Sequence, residues 1–139
     1  MSFREKSAWI SLISILLVSG FFFRHVPSMM TAESHPALVR GLLYCVIALV
    51  VIEVVAHVVV AMRAPKDAQA PKDERERLIE LKAIRSAHYV FVVGVLLAVS
   101  SMIHIRANVF AMAYHLLLAF VVAEVVNYAT RIVYHRRGF

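Results

Sequence analysis

Ala48-Leu49-Val50-Val51-Ile52-Glu53-Val54-Val55 returns 71 residues later as Ala119-Phe120-Val121-Val122-Ala123-Glu124-Val125-Val126, with six of the eight positions identical. Neither copy alternates apolar and polar residues as a half-buried strand does, and each lies within an apolar run too long for a single strand. In lipid a chain must satisfy its own backbone polar groups, so an open stretch of this kind is a helix unless it belongs to a closed barrel. Each copy therefore reads as part of a membrane-crossing helix carrying one glutamate among hydrocarbon side chains.

The rest of the chain has the same character. It is 139 residues long and 61% hydrophobic, with a mean hydropathy of +0.76, whereas soluble domains are about 45–50% apolar. A hydrocarbon core of about 30 Å needs about 20 helical residues, with about 17 as the lower limit. Four stretches qualify, at residues 7–23, 36–62, 86–103 and 107–134, the first and third near the lower limit. Residues 1–6 and the apolar run behind them resemble a signal peptide, but Phe21-Phe22-Phe23 stand where a small-x-small cleavage site would be, so this run reads as a retained first span. The single cysteine, Cys45, excludes an intrachain disulfide and any cysteine-based zinc site. The expected fold is an all-α, polytopic four-helix membrane bundle forming a single transmembrane domain.

Basic residues set the expected orientation. Of the 15 lysines and arginines, 12 fall at the start (Arg4, Lys6), in the middle loop (Arg63 to Arg85) and in the tail (Arg131, Arg136, Arg137). Arg24, Arg40 and Arg106 alone fall in the other two loops. The positive-inside rule then places both termini and residues 63–85 in the cytoplasm. The net charge of +6 is assigned to topology and the lipid surface, not to nucleic acid. Within the middle loop, Ala64 to Pro71 reads as a Pro/Ala linker, and Asp73 as the cap of a solvated helical extension leading into the third span. The segment from Arg24 to Arg40 reads as a surface loop, and the turn around His104 to Ala107 is short enough to make the last two helices antiparallel neighbours.

The glutamate repeat relates the second span to the fourth. A weaker echo, Lys6-Ser7-Ala8-Trp9 against Arg85-Ser86-Ala87-His88, relates the first to the third. Together they predict two similar helical hairpins in parallel repeat. Small residues at helical spacing, Ser7, Ser11 and Ser14 on one helix and Ser86, Gly94, Ala98 and Ser101 on another, read as packing seams whose serines bond within their own helices.

An ionised group at the bilayer centre costs about 2.5–3.5 kcal/mol or more, so both glutamates need partners. Glu53 and His57 stand four apart on one helix face. Glu124 heads a row with Asn127, Tyr128 and Arg131, in which Glu124 reaches Arg131 through Tyr128 or water, and His88 lies at about the depth of His57. One reading is purely structural: these pairs fix helix register. A second is an ion or proton relay through Glu53, His57, Glu124, Asn127, Tyr128 and Arg131, because desolvation favours protonated carboxyl groups and imidazole titrates near neutral pH. A third is a divalent-metal centre of Glu53, His57, His88 and Glu124, although paired Glu-x-x-His motifs are absent. A fourth is haem b held by His57 and His88. No cofactor is required by any motif. His115 is nine residues before Glu124, hence on the opposite helix face, and reads as a packing histidine. There is no nucleophile motif or phosphate-binding glycine loop, and only four glycines, so an enzyme is not indicated. Four helices leave little room for a substrate path, which makes a homodimer, or another membrane subunit, the expected partner of any transporting form.

Asp73-Glu74-Arg75-Glu76-Arg77-Leu78-Ile79-Glu80-Leu81-Lys82-Ala83, with the opening Phe3-Arg4-Glu5-Lys6-Ser7-Ala8-Trp9, resembles small four-helix bacterial predicted membrane proteins that carry an Asp-Glu-Arg…Ile…Lys-Ala segment before the third span. The resemblance implies a protein of the bacterial cytoplasmic (inner) membrane. It implies no activity and assigns no site residues. Small multidrug exporters also have four helices and an embedded glutamate, but theirs lies in the first helix, whereas here the acids are in the second and fourth.

Overall fold

The computed structural model describes residues 3–30, 35–63, 73–104 and 109–137. Every described element is a helix: α1 (Phe3–Met30), α2 (His35–Arg63), α3 (Glu74–His104) and α4 (Val109–Arg137). At 29 residues, α2 is about 44 Å long at 1.5 Å per residue, longer than a hydrocarbon core of about 30 Å. All four contain a segment long and apolar enough to cross a membrane, with α2 the most apolar at a mean hydropathy of 2.8.

Local chemistry explains the helix bounds. α3 begins where Asp73 accepts the backbone N–H of Glu74 at 2.7 Å and donates its own N–H to Glu76 Oε2 at 3.2 Å, a reciprocal cap. The cap expected at Asp73 is therefore present. α1 runs on past Phe23 and through Pro27, and α2 is already helical at His35, so most of the segment read as an outer loop is helix. A proline in a membrane helix removes one backbone bond without ending the helix, and Pro36 lies in the first turn of α2, where its missing N–H has no intrahelical role. The Pro/Ala linker at 64–71 and most of the short turn after His104 lie outside the described residues.

The chain divides into two compact units, Met1–Ala70 and Pro71–Phe139. Each is a helical hairpin, α1 against α2 and α3 against α4. Both are antiparallel: Ser7 meets His57 and Ser11 meets Glu53 in the first, and Glu80 meets Arg131 and Gly94 meets Ala119 in the second.

The second hairpin closes on small residues. Ile79, Ala83, Ala87 and Ala98 of α3 are buried, as are Ala119, Ala123 and Ile132 of α4. At Gly94 a Cβ would stand 2.5 Å from the Ala119 Cβ and 3.3 Å from its Cα, so only glycine fits this crossing. On α1, Ala8, Ser11, Ile15 and Phe22 recur at helical spacing and are buried.

The outward faces are hydrocarbon. On α2 the residues Val46, Val50, Val54 and Val58 are each about half exposed, and so are Ile47 and Val55. Contiguous apolar surface of this extent is not tolerated in water and is what lipid requires.

The sequence repeat does not carry over into contact faces. Ala119 and Ala123 are buried at 7% and 5% exposure, whereas their counterparts are exposed, Ile52 at 43% and Ala48 likewise. The acids keep their shared surroundings in sequence but meet different neighbours in space.

Candidate functional site

In each hairpin a polar cluster gathers around one of the two repeated glutamates.

In the first hairpin, one helical turn on α1 answers one turn on α2. Ser11 donates to Glu53 Oε2 at 2.8 Å, and Ser7 Oγ lies 2.7 Å from His57 Nε2. His57 Nδ1 stands 2.8 Å from the Glu53 carbonyl oxygen and 3.2 Å from Glu53 Oε2. Both of those oxygens accept, so Nδ1 carries the ring proton and donates to them. Nε2 then accepts from the Ser7 hydroxyl when the ring is neutral and donates to the Ser7 oxygen when it is protonated. A hydroxyl rotates to suit either case, so this site holds both charge states of His57 without moving a heavy atom. Glu53 and His57 are half-buried, with side-chain exposures of 24% and 38%.

Of the seam serines, Ser101 bonds within its own helix as expected, donating to the Ala98 carbonyl at 2.7 Å, and Ser19, outside the expected seam, donates likewise to the Ile15 carbonyl. Ser7 and Ser11 instead reach across to α2, because a half-buried carboxylate and imidazole offer stronger acceptors than a backbone carbonyl already in the helix ladder.

In the second hairpin the polar row runs along α4 and ends on α3. Asn127 donates from Nδ2 to Glu124 Oε2 at 3.3 Å, and Arg131 Nε donates to Asn127 Oδ1 at 3.2 Å. Arg131 Nη2 is 3.6 Å from Glu80 Oε1, and the guanidinium lies over the Tyr128 ring at 5.6 Å. A link from Glu124 toward Arg131 runs through Asn127, with the guanidinium over Tyr128 and Glu80 as an ionic partner of the arginine. Lys82 is 5.4 Å above the Tyr134 ring. The first turns of α3, largely exposed, are also tied to the C-terminal end of α4 through Glu80 and Lys82.

His88 is exposed and lies in a groove of about 310 Å³ with Glu124, Asn127, Phe91 and Phe120. His115 lies in another groove with Gly94, Ala98 and Ala119, in keeping with its position across the helix from Glu124. Of the residues weighed as a metal or haem site, Glu53 and His57 belong to the first hairpin and His88 and Glu124 to the second. Among the described residues no three His, Cys, Asp or Glu side chains are grouped as a metal ion would need.

The partners not foreseen from the sequence are Ser7 for His57, Ser11 for Glu53 and Glu80 for Arg131. The first signal is present in the spacing: Ser-x-x-x-Ser in α1 matches Glu-x-x-x-His in an antiparallel α2.

Four long helices with hydrocarbon faces turned outward define a multi-pass membrane protein with four candidate spans. No protein-family model, curated protein or solved structure matches the chain. Of the resemblance to small bacterial membrane proteins, the four-helix, four-span layout is what the structure carries.

Proposed function

We propose that this is a non-enzymatic protein of a bacterial cytoplasmic membrane, structural or regulatory in kind, with both termini and the α2–α3 connection in the cytoplasm. On this reading its intramembrane acids hold helix register. The observation that carries it is the Ser11–Glu53 bond at 2.8 Å, with Ser7 on His57 one turn away: an acid that is costly in lipid is met by donors from the neighbouring helix. The orientation rests on the distribution of basic residues. Reporter fusions at residue 139 and within residues 64–72 are expected to be cytoplasmic, and a fusion within residues 31–34 exported. Exported reporters at both of the former positions would reverse the topology.

One observation favours a second reading, a small proton-coupled transporter or cation-conducting oligomer. His57 is bonded at both ring nitrogens by partners that suit either charge state, which is what a proton-carrying group requires. The two readings part in proteoliposomes under a pH step. The structural reading expects the same proton flux with wild-type protein as with empty vesicles. Protein-dependent flux that disappears in both Glu53→Gln and His57→Gln, with folding intact, would replace it by the relay.

A further inference from the structure

The groove on the second hairpin poses a problem that the register role does not solve. Glu124 is half-buried between α3 and α4, in a segment apolar enough to lie in lipid. One of its oxygens has a long amide bond, 3.3 Å from Asn127 Nδ2, and among the described residues the other has no partner. Arg131, the cation of the same polar row, is paired with Glu80, and Lys82 lies over the Tyr134 ring. His88 opens on the same groove, and among the described residues its ring nitrogens make no hydrogen bond. A carboxyl group this poorly satisfied in an apolar segment is a ready partner for a positive charge.

The walls specify which kind. Phe91 and Phe120 meet edge to face, with centroids 6.5 Å apart and planes at 85°, and both rings remain partly exposed. An aromatic face attracts a cation electrostatically, most strongly where water is excluded. A hard ion such as sodium or calcium needs several oxygens to replace its hydration shell, and this groove supplies one carboxylate and one amide. An organic cation with a shielded or delocalised charge has little hydration to lose. A volume of about 310 Å³ admits a ligand at the small end of the usual range of about 300–1,000 Å³.

We propose that the Phe91–Phe120–Glu124 groove of the second hairpin binds a lipophilic organic cation from the membrane, the carboxylate neutralising the charge and the two rings covering its apolar body.

Tetraphenylphosphonium is the probe, with full-length protein in phosphatidylglycerol nanodiscs and empty nanodiscs subtracted. Saturable binding is expected. Glu124→Gln keeps the shape and the bond to Asn127 but removes the charge, and should weaken binding by at least about tenfold. Phe120→Leu keeps apolar volume but removes a ring face, and should weaken it by about threefold or more. Thermal unfolding of each variant separates lost binding from lost fold. Absence of saturable binding overturns the proposal, as does an affinity unchanged in both folded variants. Were phosphatidylethanolamine nanodiscs to abolish probe binding, the site would belong to the lipid headgroup amine, and the proposal would equally fail.

Discussion

Gly94→Leu is expected to lower stability by about 3 kcal/mol or more, enough to separate α3 from α4. A Cβ at this position would already be 2.5 Å from the Ala119 Cβ and 3.3 Å from its backbone. The obstacle is a buried alanine attached directly to a helix, so no flexible side-chain end can swing away. Leucine adds three more carbons to that collision, and the helices must part or rotate. Gly94→Ala tests the argument more finely. Alanine gains up to about 1 kcal/mol of helix propensity over glycine, while overpacking costs about 1–3 kcal/mol, so the net effect is a loss. Gly20 is the matched control, because nothing lies within 4 Å of a Cβ there. Gly20→Ala should keep the propensity gain and be neutral or stabilising. The midpoint of an SDS unfolding titration in detergent micelles measures all three. A Gly94→Leu protein as resistant as the parent would mean that α3 and α4 do not cross at this residue.

The second large effect is expected at Glu53. In a packed hairpin the carboxylate is met by Ser11 and His57, and in separated helices it faces lipid without the donor from α1. Glu53→Leu removes the cost of the acid from both states. The separated state, where that cost was larger, gains more, so packing weakens even though the substitution makes α2 more apolar. Ser11, only 4% exposed, is also left without its acceptor. A buried group deprived of its partner costs about 1–3 kcal/mol, and that range is the expected loss. Glu53→Gln retains an oxygen that accepts from Ser11, so its loss should be nearer the roughly 0.6 kcal/mol typical of interhelical hydrogen bonds in membranes. A Glu53→Leu protein more stable than the parent in the same titration would mean that the acid is kept at the expense of the fold.

How much of this could be read in the sequence differs from element to element. The four long helices follow from the apolar runs, because a long apolar run without period-two alternation is helical in lipid. The cap at Asp73 follows from an acid preceding a charged helical row. The outer end of α1 does not: Pro27 and the polar residues after Phe23 look like a loop, and the helix continues through them. Helix rotation is the harder quantity. Ala48 and Ala119 occupy equivalent places in the repeat, yet only Ala119 is buried, since what decides the contact face is the partner helix, with Gly94 opposite one copy and Ser11 opposite a neighbouring face of the other. Within the candidate site, Glu53–His57 and Asn127–Arg131 are local pairs, visible at spacings of four. Ser7, Ser11 and Glu80 join them from other helices, so no single-helix spacing reveals them.

In the proposed register role, Glu53 of the first hairpin holds α1 against α2 through Ser11. A double-mutant cycle on Ser11→Ala and Glu53→Leu, read as unfolding free energy in detergent micelles, isolates this pair from each residue's own packing, because each single substitution removes the bond. A favourable coupling of about 0.6–1.7 kcal/mol is expected, the range of such bonds in membranes. Strictly additive losses, with no coupling between the two positions, would contradict it.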